Sequence, residues 1–371
     1  MIMFPGYPMD RRVFAAMLPY LTERFGNAAS LNHSFGWAAQ DACDRAREQI
    51  AMAVNAHASR EIAFTSSGAE AAELAIRGVL DARIEVRRNA IVVACLPGSP
   101  VARMSAELEK EGFPVSRVPF NGFGQLDPSA ISKTISDRTA LVTVPLAHEV
   151  LGALQPIAAI SQVTRARGIP LHVDGGVLLD RITVDIQAQG VDLLSMDGTA
   201  VYGPRGIGAL FIRGRKPRVT LSPLIDGGGQ ERGWRSGTLN VPGIVGLGMA
   251  FALIVDERIA YSDQLETQEK TLRTALTGHA EAPQPPGSRT PGVMVFLSAG
   301  VSPSVLAEQL ETALKTNGNP VASVRVIDRA QTAGIASSGV VWIRLDRRTM
   351  LSGLEKSKEA FALRSHSMVT V

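Results

Sequence analysis

Cysteine is nearly missing from this chain: Cys43 and Cys95 are its only two in 371 residues. Two distant thiols exclude a disulfide framework and a cysteine-ligated zinc cluster. Cys43 falls in the helical pattern Ala38 to Val54 and Cys95 closes the apolar run Ala90 to Ala94. Both therefore read as small buried hydrophobes. Lysine is scarce as well, with seven residues in all. No apolar run approaches the roughly 20 residues that a membrane span needs. Met1 to Gly6 lacks the basic start and long apolar middle of a signal peptide, so the expected address is the cytoplasm, with no membrane partner. There is no Gly-Lys-Ser/Thr phosphate loop. Gly203-Pro204-Arg205-Gly206-Ile207-Gly208 superficially resembles a nucleotide-binding glycine pattern, but it precedes a strand and reads as a turn. No metal-ligand spacing, internal repeat or low-complexity tract occurs. The net charge is only +3, with a pI near 9.0. The one basic cluster, Arg213 to Arg218, has no interleaved aromatics and reads as a solvated loop, so no nucleic-acid partner is expected.

What is present is an ordinary globular composition, 45% hydrophobic and 20% charged, long enough for two domains. Helical and strand-like segments alternate. Helices are expected over Asp41–Val54, Ala69–Leu80, Pro100–Glu111 and Ile157–Arg167. Strands are expected over Glu61–Phe64, Ala90–Val93, Leu141–Val144, Ile169–Val173 and Val191–Leu194. Such alternation predicts an α/β fold with a mostly parallel sheet covered by helices on both faces. Beyond residue 250 the pattern changes to a long helical stretch, Ile254–Gly278, and a Pro-rich break at Ala282 to Gly287. A strand at Gly292–Leu297, a helix at Val305–Leu314, a strand at Val340–Leu345 and a final helix from about Met350 follow.

Several segments stand out for their order and separation. They are Arg24 to Ser30, His33 to Trp37, Phe64 to Glu70, His172-Val173-Asp174, Ser195 to Gly206 and the glycine-rich Asp226 to Thr238. Together, from about Met3 to Pro320, they resemble the cysteine desulfurases of iron–sulfur cluster assembly, pyridoxal-phosphate (PLP) enzymes of the class V aminotransferase group. The resemblance implies a PLP-dependent transferase architecture of fold type I. It also implies a large domain over residues 16–250 and a smaller α+β domain made of 1–15 and 251–371.

At the site itself the resemblance implies losses. A PLP enzyme holds its aldehyde as an imine to a lysine amine, and in this family the lysine falls two residues before Tyr-Gly-Pro, where the chain has Ala200. The preceding histidine is Thr199, and the serine that bonds the phosphate is Asp197. A carboxylate there would repel a phosphate by about 1 kcal/mol at 4 Å in water and by more in a drier pocket. Ala69 replaces a phosphate-binding threonine, although the helix start could still cup an anion. Gly98 stands where a histidine stacks on the ring, Glu149 where an asparagine touches the ring oxygen, and Val177 where a glutamine sits.

Asp174 alone keeps its type. By resemblance it pairs with the pyridinium nitrogen; a strand-end cap is the structural alternative. No cysteine lies between Leu314 and Val340 to act on sulfur, and the substrate-clamping arginine falls at Trp342 or Arg344. His148 and Glu149 are further candidates for acid–base work, and Lys216 is the nearest lysine after Ala200.

The scaffold motifs survive around this pocket. By resemblance, the loop holding Arg235, Ser236 and Thr238 crosses a two-fold interface to complete a neighbour's phosphate site. The expectation is a non-catalytic protein without a cofactor. It would form a homodimer, or a heterodimer with an active cysteine desulfurase, and could dock iron–sulfur assembly or sulfur-acceptor proteins. The alternatives are an enzyme holding PLP non-covalently and a ligand-free structural homodimer.

Overall fold

A computed structural model describes residues 8–83, 88–275, 280–281, 289–297, 304, 307–308, 315–316, 319–320, 322–327 and 340–345. It divides into two compact units, Met1–Pro119 with Leu126–Leu146 and Gln155–Asp256, and Phe120–Gln125 with Ala147–Leu154 and Glu257–Val371. The division falls inside a long helix, a few residues past the expected boundary at 250. Residues 8–15 belong to the first unit, where residues 1–15 were expected with the small domain. Residues 1–7, most of the expected helix Val305–Leu314 and the final helix from Met350 lie outside the described residues.

The first unit is built on seven strands: β1 (Ile62–Thr65), β2 (Ala90–Val93), β3 (Val115–Arg117), β4 (Thr139–Pro145), β5 (Leu171–Gly175), β6 (Leu193–Asp197) and β7 (Gly208–Ile212). They form one sheet in the order β1-β7-β6-β5-β4-β2-β3. Only β7 runs against its neighbours; every other pairing is parallel. Parallel neighbours need crossovers, and helices supply them. The helices are α1 (Arg11–Thr22), α2 (Ser34–Ala53), α3 (Gly68–Arg83), α4 (Pro100–Lys110), α5 (Pro128–Thr134), α6 (Ile157–Arg165), α7 (Ile186–Gln189) and α8 (Val241–Ala275). β1 and β2 are apolar on both faces, as strands sandwiched between helix layers must be. Ile91, Leu141, Leu193 and Leu210 pack with Leu74, Ile76 and Leu80 of α3 in the core. This is the expected fold-type-I α/β architecture.

Two helices begin earlier than periodicity predicts. α2 starts at Ser34 because the His33 Nδ1 caps it, accepting from the Gly36 N–H at 3.1 Å. α8 starts at Val241 instead of Ile254. Its first turns carry Gly243, Gly246 and Gly248, which lower helix propensity. Gly248 is needed for close packing, since a Cβ there would lie 2.5 Å from the Ala46 Cα. The loop before α2 is equally tight: a Cβ on Gly36 would sit 1.7 Å from the Ser30 carbonyl oxygen. Gly36→Ala is accordingly expected to cost about 1–3 kcal/mol of stability. Urea unfolding of the variant checks this, and an unchanged midpoint would count against it.

In the second unit, β8 (Ala280–Glu281), β9 (Val293–Leu297), β12 (Ala322–Ile327) and β13 (Val340–Leu345) form an antiparallel sheet in the order β12-β13-β9-β8. β10 (Lys315–Thr316) and β11 (Asn319–Pro320) make a separate pair. Tyr261, Leu265 and Leu272 of α8 pack on Met294, Phe296, Val341 and Ile343. The expected strands at 292–297 and 340–345 are therefore present. Trp342 and Arg344 occupy β13, and their side chains lie outside the described residues.

Candidate functional site

The carboxyl ends of the parallel strands are where open α/β sheets bind ligands. At that edge the register pairs Pro145 with Asp174, Gly175 with Met196, and Asp197 with Gly208. Asp174 and Asp197 therefore lie at the carboxyl ends of adjacent strands.

Asp174 is the end of a polar chain that crosses three strands. The Ser195 hydroxyl donates to Asp174 Oδ1 at 2.9 Å, and the Gly176 N–H donates to the same oxygen at 3.0 Å. With its proton so engaged, Ser195 Oγ lies 3.1 Å from His172 Nε2, whose Nδ1 lies 2.7 Å from Thr143 Oγ1. The direction of the chain fixes the tautomer: Thr143 donates to Nδ1 and Nε2–H donates to Ser195. Burial pushes His172 down to about 3, so the imidazole is neutral near pH 7. Burial also raises the Asp174 carboxyl, against the Gly176 and Ser195 hydrogen bonds, and the neighbouring Asp197 charge adds to the rise. Both hydrogen bonds to Asp174 fall on Oδ1.

Asp197 is held differently. Its Oδ2 accepts from the Gly68 N–H at 2.8 Å, and its Oδ1 accepts from the Thr199 N–H at 2.8 Å and the Thr199 hydroxyl at 2.6 Å. It thus caps both the short 3-10 turn Gly198–Val201 and the start of α3. Ala200 lies buried in that turn, and Tyr202 ends it with φ 57°, left-handed. No lysine occurs between Lys133 and Lys216. Lys216 follows β7, which starts opposite Asp197 and ends opposite Leu193, so it lies past the other end of the sheet.

At the α3 start, Ser67 Oγ accepts from the Glu70 N–H at 3.2 Å and Glu70 Oε2 accepts from the Ser66 N–H at 2.8 Å. Ser-x-x-Glu is the sequence signal of a capping box. Glu70 is thus part of a helix cap, where the resemblance implies a phosphate turn around Ala69. Arg235 Nε reaches Glu70 Oε1 at 3.0 Å, so the arginine expected to serve a neighbouring subunit is engaged within its own chain. Burial acts to raise the Glu70 carboxyl, but the Ser66 and Arg235 contacts outweigh it and hold it low. Ser236 is buried, its Oγ accepting from the Gly229 N–H at 3.2 Å; Thr238 is exposed.

The glycine-rich loop has an anchor that the sequence did not disclose. Glu231 is buried and accepts from both terminal nitrogens of Arg47 at 2.8 Å and from the Phe64 N–H at 2.8 Å. Arg47 also donates to the Ile62 carbonyl and lies 4.5 Å over the Phe64 ring.

The remaining expected residues scatter. Gly98 is exposed in a turn at φ 86°, and Val177 is half-buried in the bend after β5. Glu149 belongs to the second unit, as does His148. His148 is buried edge-on against Phe120 at 4.9 Å, accepts the Leu151 N–H, and is pushed down to about 4 by burial. Its ring is packed in the interior of the second unit.

The Aminotransferase class-V family matches residues 8–335. The chain belongs to this family. Within it the relatives are cysteine desulfurases, and this chain is a member of that group. Cysteine desulfurase IscS of Anaeromyxobacter sp. (strain Fw109-5) is 38% identical over 320 residues, 85% of this chain and 78% of the relative. Cysteine desulfurase IscS of Rickettsia africae (strain ESF-5) is 42% identical over 256 residues, 69% of this chain and 60% of the relative. The match to the Rickettsia sequence thus spans less than two thirds of that protein. A solved NifS-like protein superposes with a TM-score of 0.85 at 26% identity, covering 97% of both chains. A structure described as SspA in complex with cysteine gives 0.77 at 26% identity, covering 93% of this chain and 98% of the other.

Membership in a PLP-dependent desulfurase family corrects the expectation of no cofactor: PLP is the cofactor to expect. The residues of this class-V chain fit that group at one end only. Asp174, with Oδ2 carrying no hydrogen bond from Ser195 or Gly176, is the residue that would meet the ring nitrogen by the family resemblance. The tether and the phosphate seat do not fit. Ala200 offers no amine, and the Gly68 N–H already serves Asp197.

Proposed function

We propose that this desulfurase-family chain works as a non-catalytic partner subunit in sulfur transfer and iron–sulfur cluster assembly, paired with an active cysteine desulfurase. The observation that carries the reading is Ala200, buried in the turn where the resemblance puts the family's lysine, in a stretch with no lysine between Lys133 and Lys216. Without an amine there, a PLP taken up by this chain has no covalent link to residue 200. The cysteine expected on the sulfur-handling loop is likewise missing from the sequence between Leu314 and Val340.

A partner surface supports the subunit role. Phe14, Leu18 and Leu21 lie on one face of α1 and are all exposed, while Val13 and Tyr20 bury a different face. Phe25, Leu31, Phe35 and Trp37 are exposed just beyond, with Phe25 and Phe35 stacked at 5.5 Å. Apolar exposure on this scale is characteristic of a protein–protein interface. Thr238 is the one residue of the loop triplet left exposed to reach a neighbour, since Arg235 and Ser236 are engaged within the chain.

Co-expression with a lysine-containing cysteine desulfurase, followed by mass measurement of intact complexes, tests the pairing. A mixed dimer is the expected product; recovery of homodimers alone would end the pairing. Incubation with PLP and then borohydride is expected to leave residues 134–215, which contain no lysine, without adduct, any label falling on lysines elsewhere. A second reading, an enzyme that holds PLP non-covalently, is favoured by Asp174 and its aligned Ser195–His172–Thr143 chain. Turnover of L-cysteine to alanine by the isolated chain would establish that reading in place of the first.

A further inference from the structure

Asp197 does more than decorate a degenerate turn. The first turn of α3 has four N–H groups without helical partners, and such a start is ready to take an anion. In this chain the anion is covalently part of the protein. Asp197 Oδ2 accepts from the Gly68 N–H at 2.8 Å, while Thr199 holds Oδ1 through its N–H at 2.8 Å and its hydroxyl at 2.6 Å. A Cβ added to Gly68 would lie 2.8 Å from the Asp197 Cβ, so glycine at 68 is what lets Asp197 pack against the helix start. Ser67 Oγ takes the Glu70 N–H, and Glu70 takes the Ser66 N–H before the helix. Arg235, the cation beside this seat, is bound to Glu70. Two carboxylates against one guanidinium leave the seat with a surplus negative charge.

We infer that Asp197 fills the phosphate seat as a built-in anion and so sets the ligand class of the site: a ligand at Asp174 is accepted without benefit from a phosphate ester at the α3 end. For the family's cofactor the two ends separate, the ring partner being kept while two donors of the helix start, the Gly68 and Glu70 N–H groups, are spent on the chain itself. Wild-type protein therefore gains nothing from the phosphate of PLP over unphosphorylated pyridoxal. The inference goes beyond the partner-subunit role and is read on the isolated chain, so mixed-dimer data can fail while this stands, and the reverse.

Thermal shift and equilibrium binding with three probes test it: inorganic phosphate, pyridoxal and PLP, each against wild type, Asp197→Ser and Asp197→Asn. Wild type is expected to show no stabilisation by millimolar phosphate and no more than about a twofold preference for PLP over pyridoxal. Asp197→Ser should melt lower in phosphate-free buffer and recover with phosphate. It should prefer PLP by about tenfold or more, the scale of removing one like charge from a partly dry site. Asp197→Asn removes the charge while keeping the shape, and should move in the same direction by less. If serine at 197 prevents folding, the asparagine variant and the wild-type phosphate titration remain decisive. Phosphate stabilising wild type as much as the variants, or wild type preferring PLP tenfold over pyridoxal, would overturn the inference.

Discussion

Replacing Glu231 with alanine is expected to remove about 3–5 kcal/mol of stability, because it strips a buried guanidinium of its hydrogen-bonded carboxylate and leaves only the more distant, half-exposed Asp44, 3.7 Å from Nε. Arg47 and Glu231 meet in a two-pronged pair at 2.8 Å on each side, both buried. Burial works against the Arg47 charge, and the Glu231 hydrogen bonds more than offset it, raising its proton affinity overall. With Glu231 gone, Arg47 keeps the Ile62 carbonyl, while the Phe64 N–H loses its acceptor. The backbone suffers as well. Glu231 and Arg232 both hold left-handed conformations, φ 47° and 59°, which cost free energy in residues with side chains and persist only when neighbours enforce them. Urea unfolding should therefore show a lower midpoint, and protease should cut the loop around Trp234 sooner. The double change Arg47→Met with Glu231→Leu should be far milder, since no charge is then stranded. A single-variant loss under about 1 kcal/mol would show that the pair is solvated and not an anchor.

Acidification from pH 6.5 to 5 is expected to cost about 2 kcal/mol for each of His172 and His148. Burial lowers them to about 3 and about 4 from an ordinary value of 6.5. A histidine lowered on folding binds its proton more tightly in the unfolded chain. Its contribution is therefore intact above 6.5 and is lost as the pH falls through 6.5 toward the folded value. Asp174 and Asp192 oppose this from the acid side: both are raised by burial, so the folded protein binds their protons more readily and regains stability as the pH drops toward 4. Denaturant unfolding at several pH values should show the steepest loss between 6.5 and 5. A profile flat across that window would mean that both imidazoles are solvated.

The architecture was legible because strands such as Ala90–Val93 are short, mainly apolar runs, Leu141–Val144 being broken only by Thr143, and helical periods lie between them. Family motifs carried the rest. Local patterns could also have shown the Ser67–Glu70 cap, whose spacing is printed in the sequence. What stayed hidden are pairings between residues far apart in the chain. Nothing near Asp197 announces that its partner is the Gly68 backbone, or that Arg235 turns inward to Glu70. Nothing near Arg47 points to Glu231. His148 read as a chemical group because it is polar and sits in a loop; only its packing on Phe120 shows that it is core. The early start of α8 was obscured by glycines that serve contact with Ala46 at some expense of helix propensity.

The reversed strand β7 governs how this protein must be born. β1 has one neighbour in the sheet, β7, and 143 positions separate Thr65 from its opposite number Gly208. At the roughly 5–20 residues per second of ribosomal synthesis, β1 waits on the order of ten seconds without the strand that will flank it. Slow translation through that interval, or scarcity of the factors that shield nascent chains, should lower the yield of this polypeptide more than that of a fold whose strands pair with their immediate successors.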